Sequence, residues 1–325
     1  MVNSICREGR RVTQNRQRPM GGWGSPLVVV AVIAGSGLLP FALDRGALAS
    51  IAPPLVAAAP EAEALLEQGL NLIQRGQLEA AQGAFEQAIA LDPNLAAAHY
   101  NLGLVWRQQG NLQAAASAFW QAIRSDPDFA MAYANLGGVL LEGQNLSQAE
   151  EYLRRAIALQ PDLGNAHYNL GLVLQAQGRL PEALTALQQA ATHSPQATAA
   201  YFQQGIIYLQ QGQNAQAETV LQQALAVQPD YPQAHYNLGI ARFNQGQTEA
   251  ALEAFRQATQ LNGSYADAYY GAGLAFLRLD RSEEARRVLE YAKNLYIAQG
   301  KPDWAAKAQR HLERLSGSNQ GSEGN

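Results

Sequence analysis

A strict 34-residue spacing of small residues constrains the fold of this chain more than any other feature. Glycine occupies one register in seven successive segments: Gly69, Gly103, Gly137, Gly171, Gly205, Gly239 and Gly273. Alanine fills two further registers with the same spacing, from Ala81 to Ala285 and from Ala88 to Ala292. Such a period indicates tandem copies of one structural unit, which bury their apolar faces by stacking on each other.

Each copy has the residue pattern of two short helices. Counting each repeat from 1 to 34, positions 4, 8 and 11 form one helical face, and positions 20, 24 and 27 form another. Glycine at position 15, as at Gly76, ends the first helix. Proline at position 32, as at Pro93, ends the second because it cannot continue a helical turn. Small residues at positions 8, 20 and 27 predict two closely crossing helices, with one aromatic or leucine side chain filling the gap.

This pattern resembles the tetratricopeptide repeat, whose 34-residue unit carries Leu-Gly, alanine and proline at fixed positions. Leu-Gly pairs stand at 102–103, 136–137, 170–171 and 238–239, whereas Gln68 and Gln204 replace the leucine and Gly263 and Ile297 replace the proline. The resemblance implies an all-α fold, a right-handed α-solenoid superhelix of stacked helix-turn-helix hairpins. It covers seven repeats: 62–95, 96–129, 130–163, 164–197, 198–231, 232–265 and 266–299.

Short segments flank the repeats. Residues 50–61 are rich in proline and alanine and predict a linker. Residues 300–315 predict a capping helix that places Trp304, Ala308 and Leu312 on one face. Residues 316–325 predict a disordered tail.

The hexapeptide Ala-His-Tyr-Asn-Leu-Gly occurs three times and raises the question of a metal or catalytic cluster. Its histidines, His99, His167 and His235, lie 68 residues apart, in alternate repeats. Neighbouring helices pack roughly 8 to 10 Å apart, so three such side chains cannot share one ion. All three occupy position 4, on the packing face. We therefore predict packing histidines with a local hydrogen bond, and no metal site.

A second helical stripe, at positions 5, 9 and 12, lies beside the packing face. In tetratricopeptide proteins this stripe, with positions 2, 6 and 13, faces a concave groove. Here it is apolar and aromatic, with few charges, which favours an amphipathic helix or an extended apolar peptide as ligand. The candidate peptide-binding residues are Tyr100, Asn101, Leu104, Asn135, Tyr168, Asn169, Leu172, Phe202, Gln203, Ile206, Tyr236, Asn237, Ile240, Phe243 and Tyr270.

Position 6 carries a ladder of carboxamides through five successive repeats, from Asn101 to Asn237. A carboxamide can donate to a peptide carbonyl and accept from a peptide N–H, so spaced amides can hold an extended chain. The alternative is that each amide serves the repeat fold and bonds locally. Sequence reasoning leaves both interpretations open.

The chain shows no assembled catalytic chemistry. It contains no phosphate-binding glycine loop, zinc-protease motif or nucleophile elbow, and the residues outside the repeats leave no room for a catalytic domain. We therefore predict a protein that is not an enzyme and has no cofactor. A net charge of −4 and a pI near 5.8 disfavour nucleic acid as a partner.

The first 49 residues have the order of a secretory signal, as in an exported bacterial protein. Arginines up to Arg18 precede an apolar run at 26–43, and a small-residue cleavage site follows, with Ala47 and Ala49 before Ser50. The alternative is an uncleaved membrane anchor, since the run is near the minimum of roughly 17 residues for a bilayer span. Both interpretations place the repeats outside the cytoplasm, in a periplasm or lumen.

Three functional hypotheses follow. The leading one is a non-enzymatic scaffold that holds a peptide or helix of a partner protein in the groove. The second is a membrane-tethered assembly factor for an envelope or photosynthetic complex. The third is a regulatory subunit of a separately encoded enzyme. The sequence leaves the partner and the oligomeric state open.

Overall fold

The computed structural model describes residues 60–194 and 198–320, and every regular element in these ranges is an α-helix. The all-α prediction is confirmed. The apolar run at 26–43 and the cleavage site at Ala47, Ala49 and Ser50 lie outside the described residues, so their role stays a prediction. None of the described helices is both long enough and apolar enough to cross a lipid bilayer.

The contacts divide the described residues into two compact units, here named the first and second repeat groups. The first repeat group, 60–194, comprises α1 (Pro60–Gln74), α2 (Leu78–Leu91), α3 (Ala96–Gln108), α4 (Leu112–Ser125), α5 (Ala130–Glu142), α6 (Leu146–Leu159), α7 (Gly164–Ala176) and α8 (Leu180–His193). The second repeat group, 198–320, comprises α9 (Thr198–Gln210), α10 (Asn214–Val227), α11 (Pro232–Asn244), α12 (Thr248–Leu261), α13 (Ala266–Arg278), α14 (Ser282–Ala298) and α15 (Pro302–Gln320).

Consecutive helices pair into hairpins within each group, and the second helix of a hairpin also packs on the first helix of the next. The first helices of repeats two to seven begin at the first residue of their repeat, as α3 does at Ala96. Each group is therefore an α-solenoid of stacked hairpins, as the resemblance implied.

Glycine at position 8 brings the two helices of a hairpin together. A methyl group added to Gly103 would lie 2.7 Å from the Phe119 ring, and one added to Gly171 would lie 2.6 Å from Leu187. Real carbon atoms do not approach this closely, so only glycine fits without movement of its neighbour. The predicted close crossing, with one large side chain filling the gap, is confirmed.

The turn within each hairpin needs a residue with positive φ. Gly110 has φ +79°, and the N–H of the next residue, Asn111, donates to the carbonyl of Trp106 at 2.9 Å. This is the Schellman arrangement that ends helices. Two non-glycine residues occupy the same register, Gln144 with φ 62° and Asp280 with φ 56°.

Helix α15 caps the second repeat group, as predicted. Ala305, Ala308, Leu312 and Leu315 are buried on the face that packs against α14. The helix runs to Gln320 and so extends five residues into the segment assigned to a tail. Leu315, three residues after Leu312, is also buried, so the packed face continues to the last residue of the predicted capping helix.

Candidate functional site

The three repeated histidines have the same structural role. In each, Nε2 donates to the carbonyl of the proline six residues earlier: His99 to Pro93 at 2.9 Å, His167 to Pro161 at 2.8 Å, and His235 to Pro229 at 2.8 Å. A carbonyl can only accept, so the proton lies on Nε2. These are the local hydrogen bonds predicted for packing histidines. Within 60–194 and 198–320, no group of three or more potential ligands could hold a metal ion.

The candidate peptide-binding residues all lie on the first helices of their hairpins, and twelve of the fifteen are half-buried. The remaining three are buried: Asn135 is 2% exposed, and Phe243 and Tyr270 are each 7% exposed. Tyr270 lies against Trp304 and His311 of α15, with centroids 5.9 Å apart in both pairs. Sequence reasoning expected all fifteen to line the groove. Neighbouring elements cover most of the surface of these three side chains. The assignment of the fifteen residues to a ligand-contacting groove stays a prediction.

Aromatic side chains at position 5 pack against a ring that sequence reasoning missed. The Tyr100 ring packs at a tilt against Phe129 with centroids 4.9 Å apart, and the Tyr236 ring packs likewise against Tyr265 at 5.1 Å. Phe129 and Tyr265 both occupy position 34, the last residue of a repeat. The signal was present, because position 34 is also apolar at Leu95, Leu163 and Tyr231. Burial raises the pKa of Tyr100 to about 12, so its hydroxyl stays protonated at neutral pH.

Most of the carboxamide ladder bonds locally. Nδ2 of Asn101, Asn135 and Asn237 donates to the carbonyl four residues earlier, at 2.7, 2.9 and 2.8 Å respectively. The local alternative therefore holds for these donors. Asn169 differs, since its carboxamide makes no hydrogen bond to another described residue although it is half-buried on α7.

In the first repeat group, one polar network joins α3 to α5. Arg107 Nε donates to Glu142 Oε1 at 2.9 Å, Nη2 contacts the same oxygen, and Nη1 donates to Asn135 Oδ1 at 3.4 Å. Asn135 Nδ2 in turn donates to the hydroxyl of Tyr100 at 3.1 Å. The Arg107 side chain is 10% exposed and that of Glu142 is 39% exposed. The carboxylate is thus the more accessible end of the pair.

Gly138 makes room for this network. A methyl group added to Gly138 would lie 3.3 Å from Asn169 Nδ2 and 3.5 Å from Arg107 Nη2. The guanidinium and the amide therefore lie against Gly138, at the register where the other repeats carry an aliphatic side chain. We call Arg107, Asn135, Gly138, Glu142 and Asn169 the polar notch.

The second repeat group uses the same registers differently. Phe243 and Arg278 occupy positions 12 and 13 of successive repeats, where the first group has Arg107 and Glu142. Arg278 Nη1 donates to the carbonyl of Phe243 at 2.9 Å, and its guanidinium lies 4.9 Å from the centre of the Phe243 ring. This joins α11 to α13 with a cation–π contact instead of an ion pair.

Each group also contains a glutamate that accepts hydrogen bonds from an arginine and a glutamine of the next repeat. We call this arrangement the glutamate clasp. In the first group, Glu150 accepts from Arg179 at 2.6 Å and from Gln177 at 2.9 Å. In the second, Glu218 accepts from Arg242 at 2.8 Å and Gln245 at 2.9 Å. Burial alone would raise the pKa of both carboxyls, but these hydrogen bonds and the arginine charges together outweigh it, so each pKa is lowered.

The geometry above defines a class: helical-repeat proteins whose first helices present a half-buried apolar face with interspersed carboxamides. The chain belongs to the tetratricopeptide repeat family. One family model of this repeat matches residues 66–128, 202–261 and 238–303, and two others match 162–230 and 106–171.

Solved structures of similar fold include other proteins of this family. YrrB, described as a tetratricopeptide protein with an unusual peptide-binding site, is 24% identical, with a TM-score of 0.53 over 60% of this chain and 99% of its own. PilF of Pseudomonas aeruginosa is 20% identical, with a TM-score of 0.58 over 64% and 95%. PilW, a type IV pilus biogenesis factor, is 20% identical, with a TM-score of 0.57 over 66% and 98%. No curated protein sequence matches the chain.

Proposed function

We propose that this protein is a non-enzymatic interaction scaffold that binds a segment of a partner protein on the first helices of its repeats. The observation that carries the proposal is the set of half-buried aliphatic and aromatic side chains on those helices, with carboxamides between them. Such a face combines apolar anchors with hydrogen-bonding groups, as binding sites for peptides and helices do. The peptide-binding description of YrrB, a protein of similar fold, supports the same kind of ligand.

Each repeat group supplies anchors of its own. Leu104 and Leu172 lie at position 9 in the first group, and Ile206 and Ile240 at position 9 in the second, all half-buried. A bound segment would remove their remaining apolar surface from water, which favours association by about 25 cal/mol per Å² buried. Because the apolar residues recur at fixed spacing, an amphipathic helix or extended chain with matching spacing fits best.

We also propose that the protein acts outside the cytoplasm. The arginine-rich start, the apolar run at 26–43 and the Ala47 to Ser50 site support export. N-terminal sequencing of the protein from cell envelopes tests this. A chain beginning at Ser50 indicates cleavage, and a chain that retains 26–43 indicates the membrane-tethered alternative. Recovery of the unprocessed chain from the cytoplasm would contradict both.

The binding face can be tested with matched variants of the full-length, tagged protein. Leu104→Gln with Leu172→Gln changes the first group, and Ile206→Gln with Ile240→Gln changes the second. The control is Trp120→Gln, because Trp120 is 43% exposed on α4, a second helix. We expect co-purifying proteins to fall at least tenfold with one or both first-helix variants and to stay with the control.

The same experiment distinguishes the outcomes. Circular dichroism must show that each variant remains helical. If the co-purifying proteins are unchanged in both first-helix variants, the proposed face is not the binding site. An enzyme activity that co-purifies would favour the regulatory-subunit hypothesis.

A further inference from the structure

Position 9 forms a row across successive first helices, and Gly138 interrupts it. The remaining six repeats carry leucine or isoleucine at this position: Leu70, Leu104, Leu172, Ile206, Ile240 and Leu274. Within the first repeat group, α3, α5 and α7 carry Leu104, Gly138 and Leu172 in this row, after Leu70 of α1. The guanidinium of Arg107 and the amide of Asn169 lie against Gly138. The row is therefore polar at Gly138 and apolar on both sides of it.

The polar notch keeps unused hydrogen-bonding groups. Arg107 has five N–H donors, and three of them are engaged by Glu142 and Asn135, which leaves two without an acceptor among the described residues. Among the described residues, no group bonds to the Asn169 carboxamide or to Oε2 of Glu142, whose Oε1 accepts from Arg107. Asn135 accepts from Arg107, and its amide group donates to Tyr100 and to the carbonyl of Met131, so it positions Arg107 and has no amide hydrogen left for a ligand.

These groups select for a ligand that both donates and accepts. A carbonyl oxygen can accept from Arg107 and Asn169, and an amide N–H can donate to Glu142 Oε2 or Asn169 Oδ1. A charged group is disfavoured, because the guanidinium and carboxylate already neutralise each other. A further acid would be repelled by Glu142, and a further base by Arg107.

The geometry points to a sequence preference: the first repeat group recognises a partner segment with an asparagine or glutamine side chain at the polar notch, flanked by apolar residues on Leu104 and Leu172. This rests on the proposed function and goes beyond it, because it names the chemistry that the face reads. A face that bound only the peptide main chain would accept any side chain at that place, whereas the polar notch requires a carboxamide.

Selection from a phage library of random dodecapeptides tests the preference, with the full-length protein as bait. The wild type should enrich sequences in which asparagine or glutamine stands between apolar residues. Gly138→Leu restores the aliphatic register of the other repeats and displaces Arg107 and Asn169, so its selected peptides should carry an apolar residue instead. Asn169→Ala removes the free carboxamide without filling the notch and should also lose the preference. Trp120→Gln, on the second helix α4 and outside the proposed binding face, should retain it.

Fluorescence anisotropy with one selected peptide makes the test quantitative. Replacing its central carboxamide residue by alanine, aspartate or leucine should weaken binding to the wild type about tenfold. The replacement leaves the hydrogen-bonding groups of the polar notch without a partner from the peptide. The same replacements should change binding to Asn169→Ala less than threefold. Circular dichroism confirms that both notch variants are helical, and Asn169→Ala keeps the test valid if Gly138→Leu does not fold.

The two proposals fail in different ways. If peptides are enriched but the wild type and Asn169→Ala prefer the same central residue, the polar notch does not select that residue. The proposed binding function is then unaffected. Tolerance of alanine at the centre would also overturn the inference, by indicating main-chain recognition. If no peptide is enriched over an empty support, the proposed binding function fails and the inference fails with it.

Discussion

The first and second repeat groups hold their helices together at the same registers with opposite chemistry. At positions 12 and 13 the first group has Arg107 and Glu142, an ion pair that also engages Asn135. The second has Phe243 and Arg278, in which the arginine bonds a carbonyl and covers an aromatic ring. The two sets of contacts serve one structural need, which is to join successive first helices.

The surfaces that result are different. In the first group the row at position 9 is interrupted by the polar notch, and in the second it is apolar throughout, at Ile206, Ile240 and Leu274. The fold therefore sets where a contact is needed, and the local residues decide which ligand chemistry the face can meet. Four changes test this comparison.

The largest effect is expected at Asn135. Asn135→Ala leaves Tyr100 and Arg107 without a buried partner, so it should lower the free energy of unfolding by about 2 kcal/mol. The matched variant is Asn237→Ala in the second group, whose amide bonds only its own helix, and it should cost about 0.5 kcal/mol. Urea titration measures both. Equal losses would show that Asn135 does not support a network.

The glutamate clasps at Glu150 and Glu218 should make stability pH-dependent in both groups. Each pKa is lowered in the folded protein, so the stabilisation is complete above the ordinary value of 4.5 and is lost as the pH falls through the lowered one. Glu150→Gln with Glu218→Gln should lower Tm by about 3 °C at pH 7 and flatten its decline on acidification. Gln82, which accepts from Gln109 at 3.3 Å in the same register, is the neutral control. Gln82→Ala should leave the slope of Tm against pH unchanged, and an unchanged slope in the double variant would contradict the account.

Replacing either of two turn residues by glycine should stabilise the protein by about the same amount. Gln144 in the first group and Asp280 in the second have positive φ, at the register where the other repeats have glycine. Gln144→Gly and Asp280→Gly remove the steric cost of that conformation and should each raise stability by about 0.8 kcal/mol. Thermal unfolding measures the gain. A loss in either variant would mean that its side chain contributes more than the turn costs.

The smallest effect is the coupling within the ion pair. Glu142 is more than a third exposed, so a double-mutant cycle of Arg107→Met and Glu142→Gln should give about 0.5 kcal/mol. The coupling should shrink in 1 M salt, because ions screen exposed pairs. A salt-insensitive coupling would indicate that packing of Arg107 over Gly138 dominates. Arg278→Met in the second group should show little salt dependence, because Arg278 has no carboxylate partner among the described residues and bonds the carbonyl of Phe243 instead.

Local chemistry made the fold predictable from sequence. The glycine at position 8 and the glycine at position 15 each have a steric reason that acts within one hairpin, so repeat length and helix order followed directly. The histidines were also predictable, because their partner is a proline carbonyl six residues away. The burial of Tyr270 was not, since it depends on where α15 packs.

The candidate site was only partly predictable. Spacing placed the fifteen residues on the first helices, but it did not indicate which of them neighbouring side chains cover. The link from Arg107 to Glu142 joins residues in different repeats and depends on the space left by Gly138. A helical wheel considers one helix at a time and does not contain such contacts. The apolar register at position 34 is visible in the sequence and would have predicted the ring contacts of Tyr100 and Tyr236.

Site-specific photo-cross-linking in cells shows which face of the protein touches a partner. Benzoylphenylalanine would be placed at Leu104, Leu172 or Ile240 on first helices, or at Trp120 on a second helix. The account predicts a discrete adduct from at least one first-helix position and none from position 120. An adduct from position 120, with none from the three first-helix positions, would contradict it.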